Sequence, residues 1–134
     1  MDDFVIWLRV QLDDDERVAK IAADRYPHWA TTDEGDVVQV GTGGSGYLAN
    51  GPWGTSLFEV GEHIARHDPA RVLAEVDAKR RILDIHHDDG HGDCDGCGLD
   101  AIGLHVHQLD ECPTLLALAL AYADRPGYRD EWRS

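Results

Sequence analysis

All three cysteines of this 134-residue chain lie in its C-terminal half, in a pattern typical of metal ligands. Cys94 and Cys97 form a Cys-x-x-Cys pair, and Cys112 follows 15 positions after Cys97. The glycines at positions 96 and 98 allow the backbone to turn tightly, because glycine tolerates positive φ. Three thiolates and one imidazole make up the ligand set of a closed, tetrahedral zinc site. The spacing therefore predicts a structural zinc site of the Cys3His type.

The spacing leaves the fourth ligand open among several histidines. In order of preference the candidates are His87, His91 and His86, followed by His105 and His107 of a His-x-His pair. Residues 86 and 87 are favoured in part because a preceding long helix would deliver them at its C-terminal end. The predicted metal ligands are His87, Cys94, Cys97 and Cys112.

Other interpretations of the cysteines remain open at this stage. They can be reduced thiols without a metal, or Cys94 and Cys97 can form a redox pair. A redox pair of the thioredoxin type begins a helix that follows a strand, and the sequence around Cys94 offers no such context. A catalytic zinc needs an open coordination position and a neighbouring carboxylate base, and no Asp or Glu stands out. The zinc deaminase pattern is also absent. We therefore assign no catalytic residue, and an enzyme is the less favoured class.

A second histidine pair lies at helical spacing. His63 and His67 are four residues apart, as in zinc proteases, but Ile64 occupies the position where those enzymes need a general-base Glu. We interpret the pair as ordinary exposed or half-buried histidines. The alternative is a metal-dependent hydrolase at this corner, with Asp68 and Arg71 nearby.

A glycine-rich segment at residues 41–46 matches Gly-x-Gly-x-x-Gly after a predicted strand. A dinucleotide site needs a helix to begin there, since the helix N-terminus holds the pyrophosphate. Asn50-Gly51-Pro52 follows instead, so we interpret the segment as a flexible loop.

The remaining pattern predicts a single α+β domain over residues 1–134. It is mainly helical, with a small antiparallel sheet in the N-terminal half and a Cys/His metal clip near the C-terminus. Helical spacing and capping signals predict helices over residues 2–24, 57–67, 69–85 and 113–123. Alternation and turn residues predict a hairpin over residues 29–40, turning at Asp33-Glu34-Gly35, and a third strand at 47–49.

Charge limits the partners of this chain. Lys and Arg number 12 against 26 Asp and Glu, which gives a formal charge of −14. Such a surface repels phosphate, so direct nucleic-acid binding is disfavoured. An acidic inhibitor that mimics DNA, or a counter-defence factor, is an alternative function that the charge allows.

The sequence also sets expectations about compartment and partners. The acidic start lacks the features of a signal peptide, an odd number of cysteines suits a reduced compartment, and no stretch is apolar enough for a membrane span. We expect a cytoplasmic protein with an unidentified protein partner, and a homodimer is possible. Trp53, in a loop, is the tryptophan expected to face a partner, whereas Trp132 either docks on the domain or does the same.

Several blocks of the sequence resemble a family of unknown function found in actinobacteria and their phages. The central blocks are residues 63–73 (HIARHDPARVL) and 78–83 (AKRRIL), and the C-terminal ones are 112–115 (CPTL) and 122–132 (YADRPGYRDEW). The resemblance implies a Cys-x-x-Cys ahead of the Cys-Pro-Thr and a phage or mobile-element context. It implies no activity. The function expected is that of a small, acidic, zinc-stabilised accessory or interaction protein.

Overall fold

The computed structural model of the chain describes residues 3–40, 46–49, 51, 57 and 59–133. Four α-helices and three strands lie in this part of the chain. In order they are α1 (Asp3–Ala23), β1 (Trp29–Thr31), β2 (Val37–Gln39), β3 (Tyr47–Ala49), α2 (Glu59–Arg66), α3 (Pro69–Ile85) and α4 (Pro113–Leu120). The predicted α+β class is confirmed, with its helical majority, its small antiparallel sheet and its Cys/His cluster near the C-terminus. None of the helices described has both the length and the apolar composition needed to cross a bilayer.

The chain divides into two compact units. The cluster unit comprises Met1–Asp14 and Asp77–Ser134, and the sheet unit comprises Asp15–Val76. Helices α1 and α3 each contribute residues to both units. The single domain expected from the sequence stays a prediction.

The sheet unit is built on a three-stranded antiparallel sheet in the order β1-β2-β3. Ala30 lies opposite Val38 in the first pair of strands, and the register shifts between Val37 and Val38 in the second pair. The predicted turn between β1 and β2 is confirmed, since the amide of Gly35 donates to the carbonyl of Thr32 (2.9 Å).

Helix α2 meets this sheet at a glycine. Gly61 is buried, and a Cβ atom there would overlap the carbonyl oxygen of Gly35. Helical spacing puts Leu57, Val60 and Ile64 on one side of this helix, but Val60 is 56% exposed and does not share the burial of the other two. The close main-chain approach at Gly61 places the neighbouring residue about 100° further round the helix, away from the sheet.

Helix α3 begins as its sequence indicates. The carboxylate of Asp68 accepts a hydrogen bond from the amide of Arg71 (2.9 Å), and Pro69 follows at the first helical position. The other carboxylate oxygen accepts from the amide of Trp29 (3.2 Å). Asp68 therefore caps the helix and ties it to the first strand of the sheet unit.

The core of the cluster unit contains an aromatic group around Trp132. Trp132 is 5% exposed, and its ring centroid lies 5.0 Å from that of Phe4, 5.2 Å from that of Trp7 and 5.7 Å from that of Tyr128. The C-terminal segment thus docks on α1, one of the two outcomes expected for this tryptophan. Trp53 and the loop at 41–45 lie outside the described residues.

Helix α1 buries Phe4, Leu8 and Leu12 in the cluster unit. Helical spacing places both Val18 and Ala19 near this same face, but Ala19 is buried whereas Val18 is 54% exposed. Adjacent residues differ by about 100° round a helix, so the two cannot be buried equally.

Candidate metal centre

Three segments of the cluster unit deliver the candidate ligands. His86 follows directly on Ile85, the last residue of α3. Cys94 precedes a short 3-10 turn, Asp95–Cys97, whose last residue is the second cysteine. Cys112 is the N-cap residue of α4, with Pro113 at the first helical position.

The donor atoms of His86, Cys94, Cys97 and Cys112 all lie within 4.8 Å of one another. The Nδ1 atom of His86 is 3.4 Å from the sulfurs of Cys94 and Cys112 and 3.7 Å from that of Cys97. The sulfurs of Cys97 and Cys112 are 3.5 Å apart. In a tetrahedral zinc site with ordinary bond lengths, sulfur–sulfur and sulfur–nitrogen edges are about 3.6–3.8 Å. The four atoms are therefore spaced to hold one metal ion.

Gly96 permits this convergence. A Cβ at position 96 would lie 2.5 Å from the carbonyl oxygen of Ile85 and 2.9 Å from Nδ1 of His86. Both distances are shorter than normal contacts, so only glycine lets the Cys-x-x-Cys turn press against the end of α3. The turn is closed by a hydrogen bond from the amide of Cys97 to the carbonyl of Cys94 (3.3 Å).

The acidic residues of the loop shape its backbone. One carboxylate oxygen of Asp88 accepts the amides of Gly90 (2.7 Å) and Gly92 (2.9 Å), and Asp89 accepts those of His91 (2.7 Å) and Asp93 (3.2 Å). These amide donors hold the pKa of both carboxyl groups below the ordinary value, because they favour the charged form. The two carboxylates act as turn-forming groups of the kind typical of Asp.

Two of the three thiols are shielded from water, and the thiol of Cys97 is half-buried. Cys94 and Cys112 are fully buried. Burial raises the pKa of Cys94, and burial together with the neighbouring thiols raises the pKa of Cys97 to about 12. Three sulfurs packed this closely cannot all carry charge without a cation between them. A metal ion would favour the thiolate over the protonated thiol, since it binds the thiolate form.

The structure places His86 beside the sulfurs, whereas the sequence prediction ranked His87 first. The Nδ1 atom of His87 lies 3.0 Å from the carbonyl oxygen of Asp84, and its Nε2 lies 3.8 Å from a carboxylate oxygen of Asp95. His86 still belongs to the last turn of α3, because its amide donates to the carbonyl of Ile82 (2.9 Å). Consecutive side chains on a helix point in different directions, so only one of the two can face the sulfurs.

The other histidine candidates also lie outside the four-atom group. His105 Nε2 is 3.1 Å from a carboxylate oxygen of Asp89, and His91 Nδ1 is 3.7 Å from the same atom. Within the described residues, His86 with the three cysteines is the one group of three or more potential ligands whose donor atoms converge.

The pair His63 and His67 is arranged differently. The two rings are in contact at a tilt of 43°, with centroids 4.6 Å apart, and Nδ1 of His67 lies 2.8 Å from the carbonyl oxygen of His63. The nearby carboxylate of Glu62 pairs with Arg66 (2.6 Å). This corner brings no third ligand to the two histidines among the residues described, so its geometry does not favour the hydrolase alternative.

The fold and the donor set define an α+β protein with a Cys3His cluster able to hold a metal ion. The chain belongs to a family of unknown function, DUF6221, whose model matches residues 1–134. Searches of curated proteins and of solved structures returned no match.

Proposed function

We propose that the protein is a small, acidic interaction protein whose cluster unit is held together by one structural zinc ion. The observation that carries the proposal is the convergence of three cysteine sulfurs and one imidazole nitrogen within 4.8 Å. The ligands would be His86, Cys94, Cys97 and Cys112. They join the end of α3, the loop that follows it and the start of α4.

Zinc fits this donor set better than other common ions. Thiolate and imidazole are ligands that zinc accepts in a tetrahedral arrangement, whereas calcium and magnesium require oxygen.

A structural role follows from the number of donors. Four protein ligands complete a tetrahedron and leave no position for a water or a substrate. The carboxylates of Asp88 and Asp89, which lie on the same loop, are engaged by backbone amides. We therefore propose that the metal stabilises the fold and that function resides in contacts with another protein.

The interaction role is supported by what the chain leaves exposed. A formal charge of −14 and several exposed apolar side chains suit a surface that meets a protein carrying basic groups. The setting that we propose, a phage or mobile genetic element, comes from the resemblance of the sequence blocks alone.

Metal content tests the proposal directly. Protein purified without added metal is analysed by elemental analysis as wild type, Cys97→Ser, His86→Ala and His87→Ala. We expect about one zinc per chain in the wild type and in His87→Ala, and a loss in the other two variants.

The adjacent histidines make matched variants, since both follow α3 and differ by one position. Equal loss of zinc from His86→Ala and His87→Ala would contradict the ligand assignment. A wild-type protein free of zinc under these conditions would overturn the metal proposal itself.

A further inference from the structure

The loop after the Cys-x-x-Cys turn forms a short hairpin with an unusual surface. We call residues 98–107 the apolar hairpin. Four of its side chains are large, apolar and exposed: Leu99 (58%), Ile102 (79%), Leu104 (60%) and Val106 (49%). A soluble domain rarely gathers so many exposed apolar side chains in so short a segment without a binding role.

At the end of the hairpin the apolar side chains are exposed and the polar ones are half-buried, the reverse of a typical surface segment. Exposed and half-buried side chains alternate over residues 104–107. Leu104 and Val106 are exposed, whereas His105 and His107 are half-buried. The polar residues thus take the inner positions, and the apolar residues face solvent.

The hairpin is held in a defined conformation. One carboxylate oxygen of Asp100 accepts the amides of Ile102 and Leu104, both at 2.9 Å, and the amide of Asp100 donates to the carbonyl of Leu104 (2.7 Å). At the base, the amide of Val106 donates to the carbonyl of Gly98 (3.1 Å). A surface fixed in advance loses less conformational entropy when it binds.

The hairpin is also joined to the cysteine cluster. The amide of Cys94 donates to the carbonyl of His107 (3.0 Å), and Gly98 follows Cys97 directly. A metal ion at the cluster would therefore fix both ends of the hairpin.

The stretch of chain that contains the hairpin carries acidic residues and no basic ones apart from histidine. The sequence contains no Lys or Arg between Arg81 and Arg125. The acidic residues in this stretch are Asp84, Asp88, Asp89, Asp93, Asp95, Asp100, Asp110, Glu111 and Asp124. A second copy of the chain would bring the same negative charge to this surface, whereas a basic partner would be attracted.

We propose that the apolar hairpin is a docking surface for a cationic amphipathic segment of another protein. The apolar side of that segment would cover Leu99, Ile102, Leu104 and Val106, and its Lys or Arg side chains would meet the surrounding carboxylates. This inference rests on the proposed function, in that it names the partner chemistry of the zinc-stabilised unit.

The probe is a fluorescent amphipathic helical peptide of lysine and leucine, titrated with the zinc-loaded protein and followed by anisotropy. Two peptides serve as comparisons: the same composition in scrambled order, and the amphipathic sequence with glutamate in place of lysine. Amide chemical shifts of the labelled protein identify the surface contacted. We expect shifts at residues 98–107, and at least about tenfold tighter binding of the amphipathic cationic peptide than of either comparison.

The variant protein carries Ile102→Ser and Leu104→Ser. We expect it to bind the amphipathic peptide at least about tenfold more weakly, because two apolar contacts are removed. The control is Val60→Ser, which removes a 56% exposed apolar side chain from the sheet unit and should leave the affinity unchanged.

Three results would overturn the inference. They are equal binding of the scrambled peptide, unchanged affinity in the double variant, and a wild-type dimer in sedimentation that the double variant abolishes. The last would make a second copy the occupant. Zinc content of each protein separates the two proposals: loss of peptide discrimination with zinc retained refutes the docking surface alone, and absence of zinc from the wild type refutes the metal site.

Discussion

The two units of the chain achieve order by different means. The sheet unit has antiparallel strand pairing and a close main-chain contact between Gly61 of α2 and Gly35 of the β1–β2 turn. The cluster unit includes the long irregular segment 86–111, in which Cys94 and Leu109 are the buried apolar side chains. In that segment Asp carboxylates accept hydrogen bonds from turn amides, and four potential metal ligands converge. A strand or helix would have regular backbone hydrogen bonds in their place. A bound metal would therefore add most to the stability of the segment in which buried apolar side chains and regular secondary structure add least.

The largest expected effect is that of metal removal. The stabilisation by a bound ion is about 4 kcal/mol when free metal exceeds its dissociation constant by about 1,000-fold. We expect chelation, or Cys112→Ala, to remove that stabilisation and to abolish amide exchange protection in residues 86–112. Amide exchange measured residue by residue is the readout.

Strands β1–β3 serve as the internal reference for this experiment, since their protection should persist after chelation. Uniform loss of protection along the whole chain would show that the two units share one cooperative transition, and the comparison between them would fail.

Two glycine substitutions sharpen the comparison. Gly61→Ala would place a Cβ on the carbonyl oxygen of Gly35, and Gly96→Ala would place one against Ile85 and His86. Each is expected to destabilise the protein by about 1–3 kcal/mol or more, because main-chain atoms cannot move aside easily. Denaturant unfolding measures the loss, and metal titration measures the affinity for zinc.

The two substitutions should differ in their effect on zinc. Gly96→Ala should weaken zinc binding, while Gly61→Ala should leave the stoichiometry and the affinity unchanged. Equal zinc affinities in the two variants would show that the turn at Gly96 can adjust without disturbing the ligands.

Proton release on metal binding tests the state of the thiols. Because the pKa of Cys97 is raised to about 12 in the metal-free fold, its thiol is protonated at neutral pH. Binding of zinc as a thiolate complex should therefore release up to about three protons, one from each cysteine. Calorimetry in buffers of different ionisation enthalpy measures this number, and zinc affinity should fall as the pH is lowered. Release of no proton would contradict thiolate ligation.

The same raised pKa predicts alkaline sensitivity of the metal-free protein. The folded Cys97 thiol holds its proton more tightly than the unfolded chain does, whose thiol has the ordinary value of 9.0. This contribution to stability is present below pH 9 and is lost as pH rises from about 9 to about 12. Unfolding of the apo protein measured across this pH range tests whether its stability falls as the pH rises. Cys97→Ala is the control, since it lacks the thiol.

The smallest effect is expected at the second histidine pair. His63→Ala and His67→Ala should leave zinc content unchanged, because those rings contact each other and the main chain. Their effect on stability should be within about 0.5 kcal/mol, as for most exposed positions. A change in zinc content of either variant would reopen the hydrolase alternative at this corner.

Much of the fold could be predicted from local sequence. Asp68 and Pro69 marked the start of α3, and Asp33-Glu34-Gly35 marked the turn between β1 and β2, because capping and turn preferences act within a few residues. Val60 could not be placed in this way. Its exposure depends on Gly61 meeting Gly35, a contact between segments far apart in the chain.

For the candidate site, too, some features could be predicted from the sequence and others depend on tertiary contacts. The sequence by itself determined that three cysteines at these spacings could gather around one metal, because ligand chemistry is a property of residue type. Only the tertiary structure placed His86, and not His87, beside the three sulfurs, since one residue changes the direction of a helical side chain by about 100°. It likewise decided that Leu104 and Val106 face solvent while His105 and His107 turn inward. Which side chains of this segment meet the protein is set by the segments packed against it, and local sequence does not specify those contacts.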